Sequence, residues 1–192
     1  DTKVTYHIAK LKEKKTKLLY GQHGGTYGIS KILWPEKHER EISDNFLSWG
    51  WKENNDPKIV NIGIFKKLKI SRKKSEKRNL LFMLKSRQRY FYSMDSSGGT
   101  EQYSEHIKYC SKFLFKLNNN IKSKTILRLP HNSDDVKNVD FYSNLGKTFD
   151  FFSKNSVQDA YGQSKLTIHT INATSFIETL SENIPSILIM KK

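Results

Sequence analysis

TIHTINATSFIETLSENIPSILIM, residues Thr167–Met190, reads as one complete α/β step. An apolar strand, Leu166–His169, runs into the small polar loop Asn172-Ala173-Thr174-Ser175. A helix follows from Ser175 to about Asn183, and Pro185 ends it before the apolar run Ser186–Met190, a buried strand. Hydroxyls and amides at such a helix start suit a phosphate, and Glu178 one turn in could accept from ribose hydroxyls. A structural role is equally open, because Ser175-x-x-Glu178 is also a capping box, in which Glu178 reaches back to the cap's own N–H.

Working outward, short apolar runs alternate with helical segments, which is the signature of α/β layering around a parallel sheet. The other candidate strands are Lys17–Gln22, Phe46–Trp49, Asn79–Lys85, Thr125–Leu129 and Thr148–Phe151. From Glu101 to Leu117 the apolar residues Tyr103, Ile107, Cys110, Leu114 and Leu117 recur at helical spacing and predict a long helix with one buried face. Cys110 on that face is a buried, inert thiol. The stretch Asn54–Glu76, with Asp56-Pro57 and the run KKLKISRKKSEK at Lys66–Lys77, predicts a crossing between an end piece, residues 1–55, and a fuller α/β unit, residues 56–192.

Parallel sheets of this kind place ligands beyond the C-terminal ends of their strands, so the loops there carry the candidate chemistry. After the first strand comes His23-Gly24-Gly25-Thr26-Tyr27-Gly28. Its glycines can let backbone N–H groups approach an anion, with His23 as general base or phosphate donor. The same loop also fits a tight turn that needs positive φ, with His23 at its rim. After Asn79–Lys85 come Arg87 and Arg89 and then Ser96–Thr100 at the start of the long helix, either a diphosphate cradle or surface charge beside an N-cap. Arg128 and His131 flank Pro130 at the end of a further strand, where His131 could donate to phosphate or simply be exposed.

Composition narrows the function classes. The formal charge is +15 with a pI near 9.7, which invites nucleic-acid binding. Against it, arginine is scarce and lysine is scattered, and lysine is the weaker choice for planar bidentate recognition. One cysteine excludes an internal disulfide and a cysteine zinc cluster. The six histidines show no paired ligand spacing, so no metal site is expected. No P-loop or G-x-S-x-G motif occurs. The absence of both a membrane-length apolar run and a signal-peptide core predicts a cytoplasmic protein. The missing Met at position 1 suggests that upstream sequence precedes the chain.

Taken in order, GQHGGTYGISK, ISDNFLSWGW, LLFMLKSRQRYFYS, ILRLPH and NATSFIETLSENIPSILI resemble the LIC12162-type transferases of bacterial surface-carbohydrate clusters. That family is similar in its C-terminal half to UDP-N-acetylglucosamine 2-epimerases. The resemblance implies a GT-B architecture of two Rossmann-like domains, with residues 1–55 as the end of the N-terminal domain and residues 56–192 as a truncated donor-binding domain. It implies transfer from a nucleotide-activated sugar or similar donor to a glycan-precursor acceptor, without a metal or other cofactor and without a specific nucleic acid. The loops supply His23 as the catalytic candidate and Gly24, Gly25, Arg87, Arg89, Arg128, His131, Thr174 and Ser175 as the phosphate candidates; residue by residue, the resemblance matches His23 and the following glycines to an HGG loop at the interdomain cleft, Arg87 or Arg89 to the basic residue after the domain's first strand, and Asn172–Ser175 to the phosphate loop. It places Glu178 on the ribose. Asn172-Ala173-Thr174 departs from the epimerase pattern Ser-Gly-Gly at the phosphate loop. A sugar-nucleotide epimerase and a basic nucleic-acid-binding module are the alternatives.

Overall fold

A computed structural model describes residues 2–65, 70, 79–85, 100–129, 144–152 and 156–189. The chain divides into two compact units, Asp1–Lys67 and Leu68–Lys192. Both are α/β with wholly parallel sheets, as the alternation of strand and helix patterns predicts.

Unit 1 begins with helix α1 (Thr2–Glu13) and then forms strand β1 (Leu19–Gly21), helix α2 (Trp34–Ile42), and strands β2 (Asn45–Ser48) and β3 (Ile59–Asn61). The strands lie in the order β1-β2-β3. Strand β3 falls inside the stretch read from sequence as a crossing; with only Ile59 buried, it has too short an apolar pattern to announce itself. Proline in the first turn starts α2, where a missing N–H costs nothing. The inward face of α2 is acidic: its buried residues are Glu36 and Glu39.

Unit 2 contains strand β4 (Asn79–Met83), helices α3 (Thr100–Lys116) and α4 (Asn119–Lys122), strands β5 (Thr125–Arg128) and β6 (Asp150–Phe151), helix α5 (Val157–Gly162), strand β7 (Ser164–His169), helix α6 (Thr174–Ser181) and strand β8 (Ser186–Leu188). The sheet order is β6-β5-β4-β7-β8. Counted within the unit, that is third, second, first, fourth, fifth, the doubly wound Rossmann-like order. The order reverses between β4 and β7, where Phe82 pairs with Ile168 and Met83 with His169.

Side chains alternate across the sheet and build a core on each face. On one face Phe82, Leu84 and Ile168 pack with Cys110 and Leu114 of α3 and with Leu127, Leu145 and Phe149. On the other, Leu81 packs with Ala160 and Tyr161 of α5 and with Ile184. The period read over Glu101–Leu117 thus buries the face it predicts, including the thiol of Cys110.

The capping box lies elsewhere than the sequence suggests. Ala173 is the N-cap of α6 and makes no side-chain cap bond, so Ser175 and Glu178 stand within the helix. The reciprocal box forms instead at α5, between Ser156 and Asp159. Helix α6 ends with Asn183 at a φ of 53°, a left-handed stop that an asparagine tolerates, before Ile184 and Pro185 lead into β8. Among the described residues no helix is long and apolar enough to cross a membrane.

Candidate functional site

In unit 1 the loop after β1 is organised by a residue that sequence reasoning did not single out. Buried Gln22 donates from Nε2 to the carbonyl of Gly24 at 2.7 Å, and its Oε1 accepts from the backbone N–H of Trp49 and from Trp51 Nε1, both at 2.8 Å. The amide thus ties the loop to the chain beyond β2. Neither Gly24 nor Gly25 has positive φ. The left-handed residue of the loop is Gly28, at 73°, where an added Cβ would come within 2.6 Å of the Trp51 indole. The tight-turn requirement therefore falls on Gly28 rather than on the two glycines after His23.

His23 is held by two partners from the inward side of unit 1. Its Nε2 lies 3.0 Å from Glu39 Oε1 and 2.5 Å from the Tyr27 hydroxyl, which itself donates to Glu39 Oε2 at 2.9 Å. Tyr27 is buried and stacks on Phe46 in the core. Burial, with the Glu39 carboxylate close by, holds the Tyr27 phenol above its usual range and keeps its proton on. That one proton goes to Glu39, so the Tyr27 oxygen can only accept from His23, and the carboxylate can only accept too. In its neutral form the imidazole therefore carries its hydrogen on Nε2, and Nδ1 keeps a lone pair. Among the described residues Nδ1 makes no hydrogen bond. The His23 side chain is 63 % exposed while that of Glu39 is 9 % exposed: a buried carboxylate orients a largely exposed imidazole. Tyr27 lies in the same loop as His23, whereas Glu39 comes from α2. Its signal in the sequence was an acidic i, i+3 pair, Glu36 and Glu39, in a helix with no apolar stripe.

In unit 2 the crevice at the strand-order reversal lies beyond β4 and β7. Thr170 closes it from below by donating to the Met83 carbonyl at 3.0 Å. His169, the last residue of β7, is fully buried, and burial holds its imidazole down to about 4. His169 Nε2 lies 3.2 Å from the hydroxyls of both Thr179 and Thr167, and Nδ1 lies 3.4 Å from the hydroxyl of Ser175. The loop before α6 is thus fastened to a neutral histidine.

Three residues singled out in unit 2 gather around a tyrosine that sequence reasoning missed. Buried Tyr161 directs its hydroxyl to Glu178 Oε2 at 3.2 Å and to the Ser175 carbonyl at 3.4 Å. Arg128 is buried at the end of β5, donates to the Phe152 carbonyl at 3.2 Å, and interacts electrostatically with Tyr161 and Asp159. Burial lowers the Arg128 guanidinium from its usual range, and those two neighbours oppose it. Thr174 is half-buried at the first position of α6. Nearby, the Asn172 carboxamide oxygen is buried without a hydrogen-bond partner among the described residues. Arg87, Arg89 and His131 lie outside the described residues. Among those described, no group of three or more His, Cys, Asp or Glu is placed to hold a metal ion.

A second recess opens at the same sheet edge on the α3 face. Lys85, two residues past β4, faces it together with His106 and Cys110 of α3 and with Thr170. None of these was proposed from sequence as a binding group. Lys85 was read as a strand terminus, and His106 as one of six unpaired histidines.

Comparison with known proteins adds one finding. Residues 1–192, the whole chain, match the model of a family described as LIC12162 family transferase. No curated protein matches the chain.

Proposed function

Because the chain belongs to the LIC12162 family of transferases, we propose that it moves a sugar or similar group from a nucleotide-activated donor to a hydroxyl of a glycan precursor, in a GT-B arrangement with His23 as general base. In this reaction the acceptor hydroxyl attacks the activated carbon of the donor as its proton passes to Nδ1 of His23. The bond to the nucleotide phosphate breaks, and the pair of electrons leaves with the phosphate. The observation that carries the reading is the Glu39–Tyr27 clamp on Nε2, which leaves the unprotonated nitrogen facing outward. A positioned base of this kind contributes typically ~10²–10⁴-fold to a transfer step.

On the donor side the reading assigns the leaving charge to Arg87, Arg89, Arg128 and His131, to the amides at Thr174 and Ser175, and to the backbone at Gly24 and Gly25. In its favour, α6 starts without a side-chain cap, which leaves the N–H groups of Thr174 and Ser175 for phosphate oxygens while that of Phe176 bonds the Ala173 carbonyl. The partnerless Asn172 oxygen also offers an acceptor to a ribose hydroxyl beside the proposed ribose residue, Glu178. The setting is bacterial surface-polysaccharide synthesis on the cytoplasmic side.

Isothermal titration against UDP-, CMP- and CDP-linked sugars tests the donor class. Binding of one class is expected, with His23→Ala retaining that affinity while transfer to an acceptor falls by about 10²-fold or more. Binding of none of them refutes the proposal. If Glu178→Ala lost stability but kept nucleotide affinity, Glu178 would be an anchor for Tyr161 and not a ribose ligand.

A further inference from the structure

Unit 1 holds a recess of about 790 Å³, within the usual range of ligand pockets, that the transfer step described above does not use. Its walls come from the loop after β1, from α2 and from the chain after β2. Two indoles shape it. Trp51 is fixed from three sides, since its Nε1 donates to Gln22, its ring closes on Gly28, and the Arg40 guanidinium lies 5.9 Å from its centroid. Trp34 is the opposite case. It opens α2, where the proline of the first turn fixes the backbone, yet the residue is 62 % exposed, with the Lys37 ammonium 5.5 Å from the ring centroid. A tryptophan seated rigidly but left mostly in water presents a flat apolar face at the rim.

The polar part of the lining is a network centred on Arg40, which donates to Glu36 at 3.4 Å, to Asp56 at 2.8 Å and to Glu53. Each carboxylate oxygen has lone pairs beyond the one that Arg40 uses, so these ion pairs hold acceptors and donors side by side in fixed positions. Among the described residues the lining carries five basic and four acidic side chains, so its charges nearly cancel and an anion gains little net attraction. Hydroxyls suit such a surface, because each donates and accepts at once. The recess also adjoins the loop of the proposed base: Glu36 accepts from the Gly28 N–H at 2.9 Å, and Glu39, three residues on in the same helix, holds His23.

We propose that this recess is a saccharide subsite, in which a sugar ring lays its C–H face on Trp34 and directs its hydroxyls to the network of Arg40, Glu53 and Asp56. The assignment rests on the transfer reading of His23 and deepens it, by seating sugar units of the glycan-precursor acceptor next to the loop that carries the base. It requires no unpaired charge, only the remaining lone pairs of the carboxylates and the exposed indole.

The test follows the indole N–H resonances of Trp34 and Trp51 by NMR in the full chain as the linear trisaccharides of glucose, N-acetylglucosamine and galacturonate are added in turn, with uridine monophosphate run alongside. At least one saccharide should shift both resonances and saturate. Trp34→Ala, at an exposed position where little stability is lost, should weaken that binding by about tenfold or more as read from Trp51, and Trp34→Phe should retain part of it. No saturable shift with any of the saccharides, or equal affinity in wild type and Trp34→Ala, overturns the proposal. A response confined to uridine monophosphate also overturns it, and makes the recess a site for a nucleotide base. The saccharides carry no nucleotide, so the two readings fail separately: donor binding without saccharide binding removes this subsite alone, and saccharide binding without any donor binding removes the transfer reading alone.

Discussion

Acidification should unfasten the loop before α6 through a single residue, His169. In the unfolded chain its imidazole binds a proton near 6.5, whereas in the native state burial holds it to about 4. Between these values the unfolded state carries one more proton, so stability falls as pH falls through that window and is fully present above it. The shift corresponds to about 3 kcal/mol in all, of which about 2 kcal/mol is lost between about pH 7 and pH 5. Carboxylates elsewhere titrate toward the lower end, so the informative quantity is the difference between wild type and His169→Gln. Urea titrations followed by far-UV circular dichroism report unit 2, because the three tryptophans, Trp34, Trp49 and Trp51, all belong to unit 1 and their emission isolates that unit's transition. His169→Gln should be less stable than wild type near neutrality, and the gap should narrow by about 2 kcal/mol on going to about pH 5. Parallel curves would refute the reasoning, since they would mean that the buried ring takes up its proton as readily as an exposed one.

Tyr27→Phe removes the hydroxyl shared by His23 and Glu39; the tryptophan-detected urea midpoint should report a loss of about 1–2 kcal/mol. Gly28→Ala forces a Cβ to within 2.6 Å of Trp51 at a φ of 73°, and should cost more than ~1 kcal/mol with a visible change in tryptophan emission. Leu114→Ala empties a fully buried site between α3 and the sheet, and should lower the stability of unit 2 by about 2–5 kcal/mol in circular dichroism melts.

Periodicity exposed the parts of the fold held by apolar contacts and missed those held by polar ones. The α3 stripe and the runs at β4, β5 and β7 are legible because burying one face requires a repeated apolar position. Helix α2 is not, since what it buries is Glu36 and Glu39, satisfied by the Gly28 N–H, Arg40, Tyr27 and His23. Those partners are distant in sequence or invisible to any hydropathy pattern. The same limit explains the misplaced capping box. Ser175-x-x-Glu178 and Ser156-x-x-Asp159 look alike as strings, but Glu178 is drawn to Tyr161 of α5, and only Asp159 is left to reach back to its cap. His23 was legible from its loop, while the clamp that assigns its tautomer needed the three-dimensional meeting of Tyr27 and Glu39.

His23 and His169 illustrate how one side chain is set to opposite tasks. In its neutral form His23 carries its hydrogen on Nε2, because the Tyr27 hydroxyl beside it has already given its proton away, whereas at His169 two hydroxyls, Thr167 and Thr179, stand 3.2 Å from that nitrogen. They differ in what surrounds Nδ1. At His169 the Ser175 hydroxyl stands at that nitrogen and burial disfavours its protonation, so the ring serves as a neutral hydrogen-bond partner within unit 2. At His23 the same nitrogen makes no hydrogen bond among the described residues on a largely exposed side chain, and the Glu39 carboxylate stands against the ring. Under the proposed reaction that difference is the functional one. A base must gain a proton without leaving its charge uncompensated, and of these two histidines only His23 has a carboxylate against its ring. Glu39→Gln removes that compensation together with one of the two acceptor oxygens of the clamp. Transfer should fall by about 10²-fold in kcat, while the tryptophan-detected urea midpoint should report a loss no larger than that of Tyr27→Phe. A stable variant with undiminished kcat would remove His23 from the role of base.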